Sequence, residues 1–515
     1  MIFYKLSLLL HKLSLLLRSK KNWLIVLILI VGAFLRLYRI DAYMTFLGDE
    51  GRDVIIVRNL LVKADPILIG PGTSVGGMYL GPLYYYFMAP FLLLSNFSPV
   101  GPAVGVALLG VATIYLVYVV GRNWFGEKAG IISSLLFAIS PTVITYSHSS
   151  WNPNIMPFFA LLSVYSIWKV YEDEQSSPLR GKKYKWLLVT MVSFAFVLQS
   201  HYLGLLLGPV LFLYWYLSKV PWKYTAVSLL VFGFLMSPLL AFDIRHDFLN
   251  SKALYKFLTV RDAESVSIKP WTALPKTYPI FEQINSSMLT VKHNSGRLVT
   301  LLLTVWAVFT LTNKNKNKKT KSKKQHYLLL AWLVTGLIGL GLYKQSIHDH
   351  YFGFLFPVPF LLLGAFVEER IKAGKKLLRI FIYVMVFALV ILNIKNNPFK
   401  NNPNNQMQRA KNVANKVLEV ADGKPFNLAV LAERNYEDGY RYFMDIKDAT
   451  VLHADIWDKK TIADTLMVIC EKPKNECDPT HSAKAEVANF GWSKIESEYE
   501  VDGVIIYKLI HSNGK

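Results

Sequence analysis

Apolar runs long enough to cross a lipid bilayer recur along most of this 515-residue chain. A helix needs about 20 mostly apolar residues to span the hydrocarbon core. Only helices and closed barrels satisfy their backbone groups there. Charged residues make up 18% of the sequence, whereas soluble domains carry roughly 25%. The pattern therefore predicts an all-α polytopic membrane protein and excludes an ordinary soluble enzyme.

The net charge of +22 has two explanations. In a soluble protein it would indicate nucleic-acid binding. In a membrane protein, Lys and Arg gather in cytoplasmic loops and fix the orientation. Leucines cluster between basic residues in segment 1–21, which predicts an amphipathic basic segment lying on an anionic membrane surface. We therefore expect membrane lipids as partners, and no nucleic acid.

One segment, Met78–Leu94, decides the predicted topology. If it crossed the membrane, the lysine-rich loop 314–324 would lie outside the cell, against the charge rule. Gly81, Pro82 and Pro90 also interrupt it. We therefore predict a juxtamembrane or re-entrant helix within a first outer loop, 41–99. The N-terminus is then cytoplasmic, with about eleven spans: 23–37, 100–120, 129–146, 153–170, 186–200, 202–218, 223–242, 297–312, 327–343, 351–367 and 377–394.

The last part of the chain, 396–515, changes character. An Asn/Pro-rich linker is followed by a helical pattern and by short apolar runs typical of strands. This predicts a small α/β domain on the extracytoplasmic side, after a transmembrane domain over 22–395. Cys470 and Cys477 fall in this domain, where a disulfide can form. A structural bridge and two free thiols both remain open.

Two adjacent carboxylates, Asp49 and Glu50, follow the first span, with Arg52 close behind. Charges near the membrane plane are costly unless they face water or a ligand. One explanation is a solvated loop with helix-capping acids. The other is catalytic, because a carboxylate can take the proton from an attacking hydroxyl.

Further polar side chains fall on the same predicted outer face. Amides, imidazoles and aromatic rings suit a sugar, and cations suit a lipid phosphate. Each residue alone is also explained as an interfacial anchor or a polar helix end. The candidates for sugar or acceptor binding are Tyr84, His148, Asn152, Asn154, His201 and His348, and those for the donor phosphate are Arg52, Arg245 and Lys344.

The stretch FLRLYRIDAYMTFLGDEGRDVIIVRNLL, followed by GPLYYYFMAP, resembles the GT-C glycosyltransferases. These multi-pass enzymes use polyprenyl-phosphate-linked sugars as donors. The resemblance covers about residues 22–395. It is strongest to the branch that holds protein O-mannosyltransferases, lipid A aminoarabinose transferases and the RgtA/B/C/D-like bacterial enzymes. It implies that Asp49 is the catalytic base, that Glu50 is its companion, and that Arg52 lies near the lipid phosphate.

The sequence departs from the family pattern in two places. Many members hold a second acidic residue after the third span, where this chain has Asn152 or Asn154. Fewer carboxylates are thus available to a metal, and a divalent metal stays open as a cofactor. Some members carry Lys-Pro-Pro in the juxtamembrane segment, where this chain has Leu80-Gly81-Pro82. A phosphate contact must then come from elsewhere, with Arg245 and Lys344 as candidates.

The resemblance implies a glycosyltransferase that moves a sugar, with inversion, to a lipid, glycan or protein acceptor on the extracytoplasmic face. A transporter or flippase for lipid-linked glycans is one alternative, and an O-antigen ligase-like enzyme is another. Ionisable residues at span ends favour the enzyme, because transporters bury charges at mid-membrane. The sequence identifies neither sugar nor acceptor. We expect the loop 243–296 and the C-terminal domain to form the acceptor side.

Overall fold

The computed structural model describes residues 23–73, 76–174, 184–259, 266–267, 269–312, 323–374 and 376–512. The basic segment 1–21 and most of the lysine-rich loop 314–324 lie outside these ranges. Their predicted roles in orientation and lipid binding therefore stay predictions.

Helices form most of the described chain up to residue 395. The α-helices are α1 (Trp23–Leu37), α2 (Ile40–Tyr43), α3 (Gly48–Lys63), α4 (Leu83–Leu94), α5 (Val100–Trp124), α6 (Glu127–Ile139), α7 (Pro141–Ser147), α8 (Met156–Glu174), α9 (Tyr184–Ser200), α10 (Gly208–Leu217), α11 (Trp222–Arg245), α12 (Leu249–Thr259), α13 (Leu274–Asn285), α14 (His293–Thr312), α15 (Lys323–Gly341), α16 (Pro357–Ala373) and α17 (Lys376–Lys395). Shorter 3₁₀ turns lie at Asn152–Ile155, Tyr202–Leu207, Pro270–Ala273, Asp349–Leu355 and Pro398–Lys400, with a π-helical turn at Ser286–Thr290.

Within the described residues, four helices are long and apolar enough to cross a bilayer: α5, α11, α14 and α17. Two bent pairs, α6 with α7 and Asp349–Leu355 with α16, bring the number to six at most. Other predicted spans coincide with shorter apolar helices such as α1 and α9. The chain is a mostly helical integral membrane protein, and its span number stays a prediction.

Helix α4 occupies the segment that decided the predicted topology. It has 12 residues, or a length of about 18 Å, against the roughly 30 Å of a bilayer core. It packs against α3, α5 and α9. Its position relative to the membrane therefore stays a prediction, since other apolar helices of the described chain are also shorter than a bilayer core.

Arg36 ties α1 to the end of α6. Its side chain is fully buried. The guanidinium donates to the carbonyl oxygens of Ala138 (2.9 Å), Gly32 (3.1 Å) and Phe137 (3.2 Å). The last carbonyls of a helix have no partner inside it, and α6 ends here with a 63° bend into α7. Arg36 therefore satisfies carbonyls that the bend leaves open.

The C-terminal region folds as a five-stranded sheet with flanking helices. The strands are β1 (Phe426–Leu431), β2 (Val451–Leu452), β3 (Thr465–Cys470), β4 (Ser493–Val501) and β5 (Val504–His511), in the order β2-β1-β3-β5-β4. Strand β1 is parallel to β2 and β3, whereas β5 is antiparallel to β3 and β4. Three α-helices accompany them: α18 (Gln406–Ala421), α19 (Asp438–Asp445) and α20 (Ala485–Phe490). Cys470 and Cys477 form a disulfide.

The C-terminal domain shares a hydrophobic core with the segment after α1. Buried side chains of α3, α4 and α5 pack in one cluster with those of α18, α19 and the sheet. Backbone and side-chain hydrogen bonds join the two parts: Asn405 N–H donates to the Ala42 carbonyl oxygen (2.9 Å), and Tyr442 Oη to that of Phe97 (2.5 Å). The domain is thus docked directly on the segment that holds the Asp-Glu pair.

Candidate active site

The Asp49-Glu50 pair lies in the first turn of α3. The Glu50 carboxylate accepts a hydrogen bond from the Leu47 N–H (3.0 Å) and is buried, whereas the Asp49 side chain is 45% exposed. Carboxylates are favoured at a helix N-terminus, where unpaired N–H groups and the helix dipole attract negative charge. Glu50 therefore caps the helix from inside, and Asp49 faces outward.

Arg52 links the two aspartates of this turn. Its Nη1 lies 3.0 Å from Asp49 Oδ1, and its Nη2 lies 2.7 Å from Asp53 Oδ1. Tyr85, from α4, also donates to Asp53 Oδ1 (2.9 Å). Asp53 is fully buried, so its charge is balanced by Arg52 and by the tyrosine. The predicted candidates Asp49, Glu50 and Arg52 thus form one network, to which the structure adds Asp53 and Tyr85.

Beside this network, the structure leaves one buried carboxylate oxygen without a protein partner. Asp53 Oδ2 is buried and makes no hydrogen bond within the described chain. The charges of Asp53 and Glu50 act on the Tyr84 hydroxyl and Ser150 hydrogen-bonds to it, which places the four side chains together. Buried polar groups are nearly always satisfied, by protein, water or ligand. Asp53 Oδ2 is therefore an acceptor that a water or ligand can satisfy.

Burial shifts the acidity of the inner carboxyl groups. Desolvation raises the pKa of Glu50 to about 7, with the neighbouring charges of Asp49 and Asp53 adding to it. Desolvation likewise raises the pKa of Asp53 to about 6, although the Arg52 charge opposes the shift. Both groups hold their protons more tightly than exposed carboxylates do, because a buried charge is costly.

The C-terminal domain reaches Asp49 from the other side. Tyr436 Oη donates to Asp49 Oδ1 at 2.6 Å, and Asn435 Oδ1 accepts the Gly48 N–H at 2.9 Å. Tyr436 is separated from Asp49 by 387 positions. No local pattern in the sequence could pair them. The only local indication of this contact is that Gly48 and Gly51, three positions apart, leave one face of α3 without side chains.

The loop after α7 lies against the residues that precede α3. Ser149 Oγ accepts the Thr45 N–H (2.9 Å). His148 Nε2 lies 3.1 Å from the Leu35 carbonyl oxygen, and Asn154 donates to that of Ser149 (2.8 Å). Asn152 donates to the Ser200 carbonyl oxygen (2.7 Å). These three predicted sugar-binding residues therefore hold the backbone around the site, and their role towards a sugar stays a prediction.

His201 and His348 belong to a neighbouring aromatic cluster. The His201 ring lies 5.3 Å from that of Tyr351 and 6.2 Å from that of His350, and the His348 ring stacks on His350 at 5.7 Å. Trp151 lies 4.6 Å from His350. The cluster joins the loop after α7 to the turn Asp349–Leu355. It offers imidazole and indole groups, which are typical of sugar-binding surfaces.

Arg245 and Lys344 make no described contact with the Asp49 network. Both are exposed, at the end of α11 and after α15. Within the described ranges, no hydrogen bond, ion pair or ring contact connects either residue to the Asp49 network. Arg52 is the only one of the three predicted phosphate-binding residues that the described contacts place beside Asp49.

The side chains of the described ranges form no metal site. No group of three or more His, Cys, Asp or Glu residues is arranged there to hold a metal ion. The divalent metal that the sequence left open has no donor set in this part of the chain.

Known structures share this arrangement of helices. The archaeal oligosaccharyltransferase AglB from Archaeoglobus fulgidus, solved with an inhibitory peptide and a dolichol-phosphate, is similar with a TM-score of 0.53 and 10% identity, over 87% of this chain and 69% of that chain. The Archaeoglobus fulgidus oligosaccharyltransferase tethered to an acceptor peptide containing the NVT sequon is similar with a TM-score of 0.54 and 14% identity, over 84% of this chain and 64% of that chain. The chain therefore has the GT-C fold that its sequence predicted.

The family comparison agrees with the fold. Residues 80–242 match the family model described as Dolichyl-phosphate-mannose-protein mannosyltransferase. ArnT from Cupriavidus metallidurans, bound to undecaprenyl phosphate, is similar at 13% identity over 95% of this chain and 98% of that chain, with a TM-score of 0.49. The sequence matches none of the curated proteins. The resemblance to the GT-C superfamily is supported by the family match over residues 80–242 and by the fold shared with AglB.

Proposed function

We propose that this protein is a membrane glycosyltransferase that transfers a sugar from a polyprenyl-phosphate donor to a lipid, glycan or protein acceptor on the extracytoplasmic face. The observation that carries the proposal is Asp49, a half-exposed carboxylate fixed at the start of α3 by Arg52. In a chain with the GT-C fold, a base at this position can remove the proton of the attacking acceptor group. The matched family model, named for a dolichyl-phosphate-mannose donor, supports the donor class.

The reaction is a single displacement at the anomeric carbon. The acceptor oxygen or nitrogen forms a bond to that carbon while the bond to the phosphate oxygen breaks, so the configuration inverts. Asp49 takes the acceptor's proton, and the electron pair of the broken bond goes to the polyprenyl phosphate. General-base catalysis of this kind contributes about 10²- to 10⁴-fold.

Arg52 is the group we propose for the departing phosphate. Its guanidinium carries five N–H donors, and the bonds to Asp49 and Asp53 use only part of them. The side chain is 28% exposed. A fixed cation beside the base stabilises negative charge as it develops on the leaving group.

The test is Asp49→Asn in membranes given defined polyprenyl-phosphate sugars. We expect kcat to fall by about 100-fold or more, because the amide cannot accept the acceptor's proton. Asp41→Asn is the matched control, since Asp41 is an exposed aspartate of the same segment. Product mass identifies the sugar and acceptor, and the anomeric configuration is read by NMR. Full transfer by Asp49→Asn, or a retained configuration, would contradict the mechanism.

The flippase alternative makes a different prediction. A flippase moves a lipid-linked glycan across the bilayer without forming a glycosidic bond. Reconstituted vesicles that translocate the donor but yield no new product would favour it over the transferase.

A further inference from the structure

The face of α3 that carries Asp49 is shaped to receive backbone. A Cβ atom added to Gly51 would lie 2.3 Å from the carbonyl carbon of Asp438 and from the Gly439 nitrogen. One added to Gly48 would lie 2.4 Å from the Tyr436 ring. Backbone atoms cannot rotate away as a side chain can. Gly51 is therefore required for segment 435–439 to sit where it does, and Gly48 leaves room for the Tyr436 ring.

The docked segment is also held by partly buried polar contacts with the rest of the C-terminal domain. Asn435 donates to Glu471 Oε1 (2.5 Å), and so does Tyr440 Oη (2.6 Å). Arg409 lies 3.8 Å from the other oxygen of Glu471. Glu471 follows β3 directly, next to the disulfide at Cys470. The loop that presents Tyr436 is thus fixed to the sheet of the C-terminal domain.

Tyr436 and Arg52 use the same oxygen of Asp49. Both donate to Oδ1, at 2.6 Å and 3.0 Å. The second oxygen, Oδ2, has no hydrogen-bond partner among the described residues. Burial, followed by the hydrogen bond to Asp49, raises the pKa of Tyr436 well above its usual range, so the hydroxyl stays a proton donor. The carboxylate is held by one oxygen and open at the other.

We propose that the C-terminal domain completes the catalytic centre, with segment 435–439 docked on Gly48 and Gly51 and with Tyr436 as a positioning residue that turns Asp49 Oδ2 towards the acceptor. This inference rests on the proposed function for the role of Asp49. Tyr436 does not block the base, because Asp49 keeps 45% of its side chain exposed with the tyrosine in place. Tyr436 therefore assists the reaction in this arrangement rather than inhibiting it.

The kinetic test is Tyr436→Phe, which removes only the hydroxyl. We expect kcat to fall about tenfold with an unchanged KM for the donor, since hydrogen bonds to charged groups are the stronger ones and the loss falls on the step that uses Asp49. Tyr499→Phe is the matched control in the same domain, because its ring, packed under Lys416, is retained. An unchanged or higher kcat in Tyr436→Phe, with unchanged thermal stability, overturns the positioning role.

The docking test is Gly51→Ala, read by amide hydrogen exchange of the full-length protein without donor. We expect segments 47–53 and 435–440 to exchange at least tenfold faster, because the methyl group separates the two backbones. Gly233→Ala is the matched control: Gly233 lies in α11, and nothing approaches its added Cβ within 4 Å. Unchanged exchange in Gly51→Ala overturns the docking.

The two proposals fail separately. If the wild-type protein transfers no sugar from any donor, the proposed function fails, and hydrogen exchange still decides the docking. If wild-type transfer is normal and Tyr436→Phe matches it, the positioning role fails while the transferase function stands.

Discussion

Adjacent positions of a helix point about 100° apart, and this separates the environments of Asp49 and Glu50. Asp49 meets solvent, Arg52 and Tyr436. Glu50 turns inward and accepts the Leu47 N–H. The carboxylate best placed for an acceptor is therefore the exposed one, while its neighbour shapes the start of α3. The inner carboxyl, with its raised pKa, is the one whose ionisation costs stability.

The cost of ionising Glu50 predicts a pH-dependent stability. The pKa of Glu50 is raised from an ordinary 4.5 to about 7 in the folded chain. Between these values the unfolded chain ionises first, so this group's contribution to stability is complete below pH 4.5 and is lost as the pH rises through about 7. Glu50→Gln cannot ionise. We expect its Tm relative to the wild type to rise between about pH 5 and about pH 8.

The measurement is thermal unfolding in detergent across this range. Glu433→Gln is the matched control, because Glu433 is exposed in the C-terminal domain. A Tm difference for Glu50→Gln that is flat or reversed with pH would show that Glu50 is already ionised without cost in the fold.

At the scale of elements, one buried side chain, Arg36, joins α1 to the end of α6 by hydrogen bonds. The Arg36 guanidinium donates hydrogen bonds to the Phe137 and Ala138 carbonyl oxygens, where α6 ends before its bend. The bend also sets the course of α7 and of the loop that carries Asn152 and Asn154. Arg36, in the FLRL stretch, therefore has a structural role here, at the base of the site.

Removing this guanidinium should destabilise the whole helical domain. Arg36→Met keeps an apolar side chain but leaves the Phe137 and Ala138 carbonyls unpaired in the interior. Each such buried group costs about 1–3 kcal/mol, so we expect a lower Tm and lower yield in detergent. Arg39→Met is the control, since Arg39 is exposed. Equal stability of the two variants would exclude the role given to Arg36.

At the scale of the molecule, the orientation in the membrane depends on α4 lying outside the bilayer. A cysteine at Lys128 should then be protected from an external thiol reagent, and one at Asp65 should react. Both positions are exposed in the fold, and the native cysteines are paired, so labelling reports only the introduced thiol. Reaction at both positions would show that α4 crosses the bilayer, and protection at Asp65 would place the Asp49 site in the cytoplasm.

The sequence predicted the apolar helices between residues 23 and 395 because apolar length is a local property. It did not predict α3, α12 and α13, which lie in segments interpreted as polar outer loops and whose apolar residues occupy only part of their surface. It predicted β1, β3, β5 and helix α18 from apolar runs and periodicity. It missed β4, whose side chains are mostly exposed. The signal was present: Asp502 and Gly503, both with positive φ, form the two-residue turn that pairs β4 with β5.

The sequence by itself determined the helical membrane class, the superfamily resemblance and the candidate pair Asp49-Glu50, because each of these depends on residues that are contiguous in the chain. Only the tertiary structure decided which partners this turn would have. Asp53, Tyr85 and Tyr436 join Asp49 and Arg52 through packing of α4 and of the C-terminal domain on α3. Such contacts arise from burying a shared core, and burial joins residues regardless of how far apart they stand in the chain.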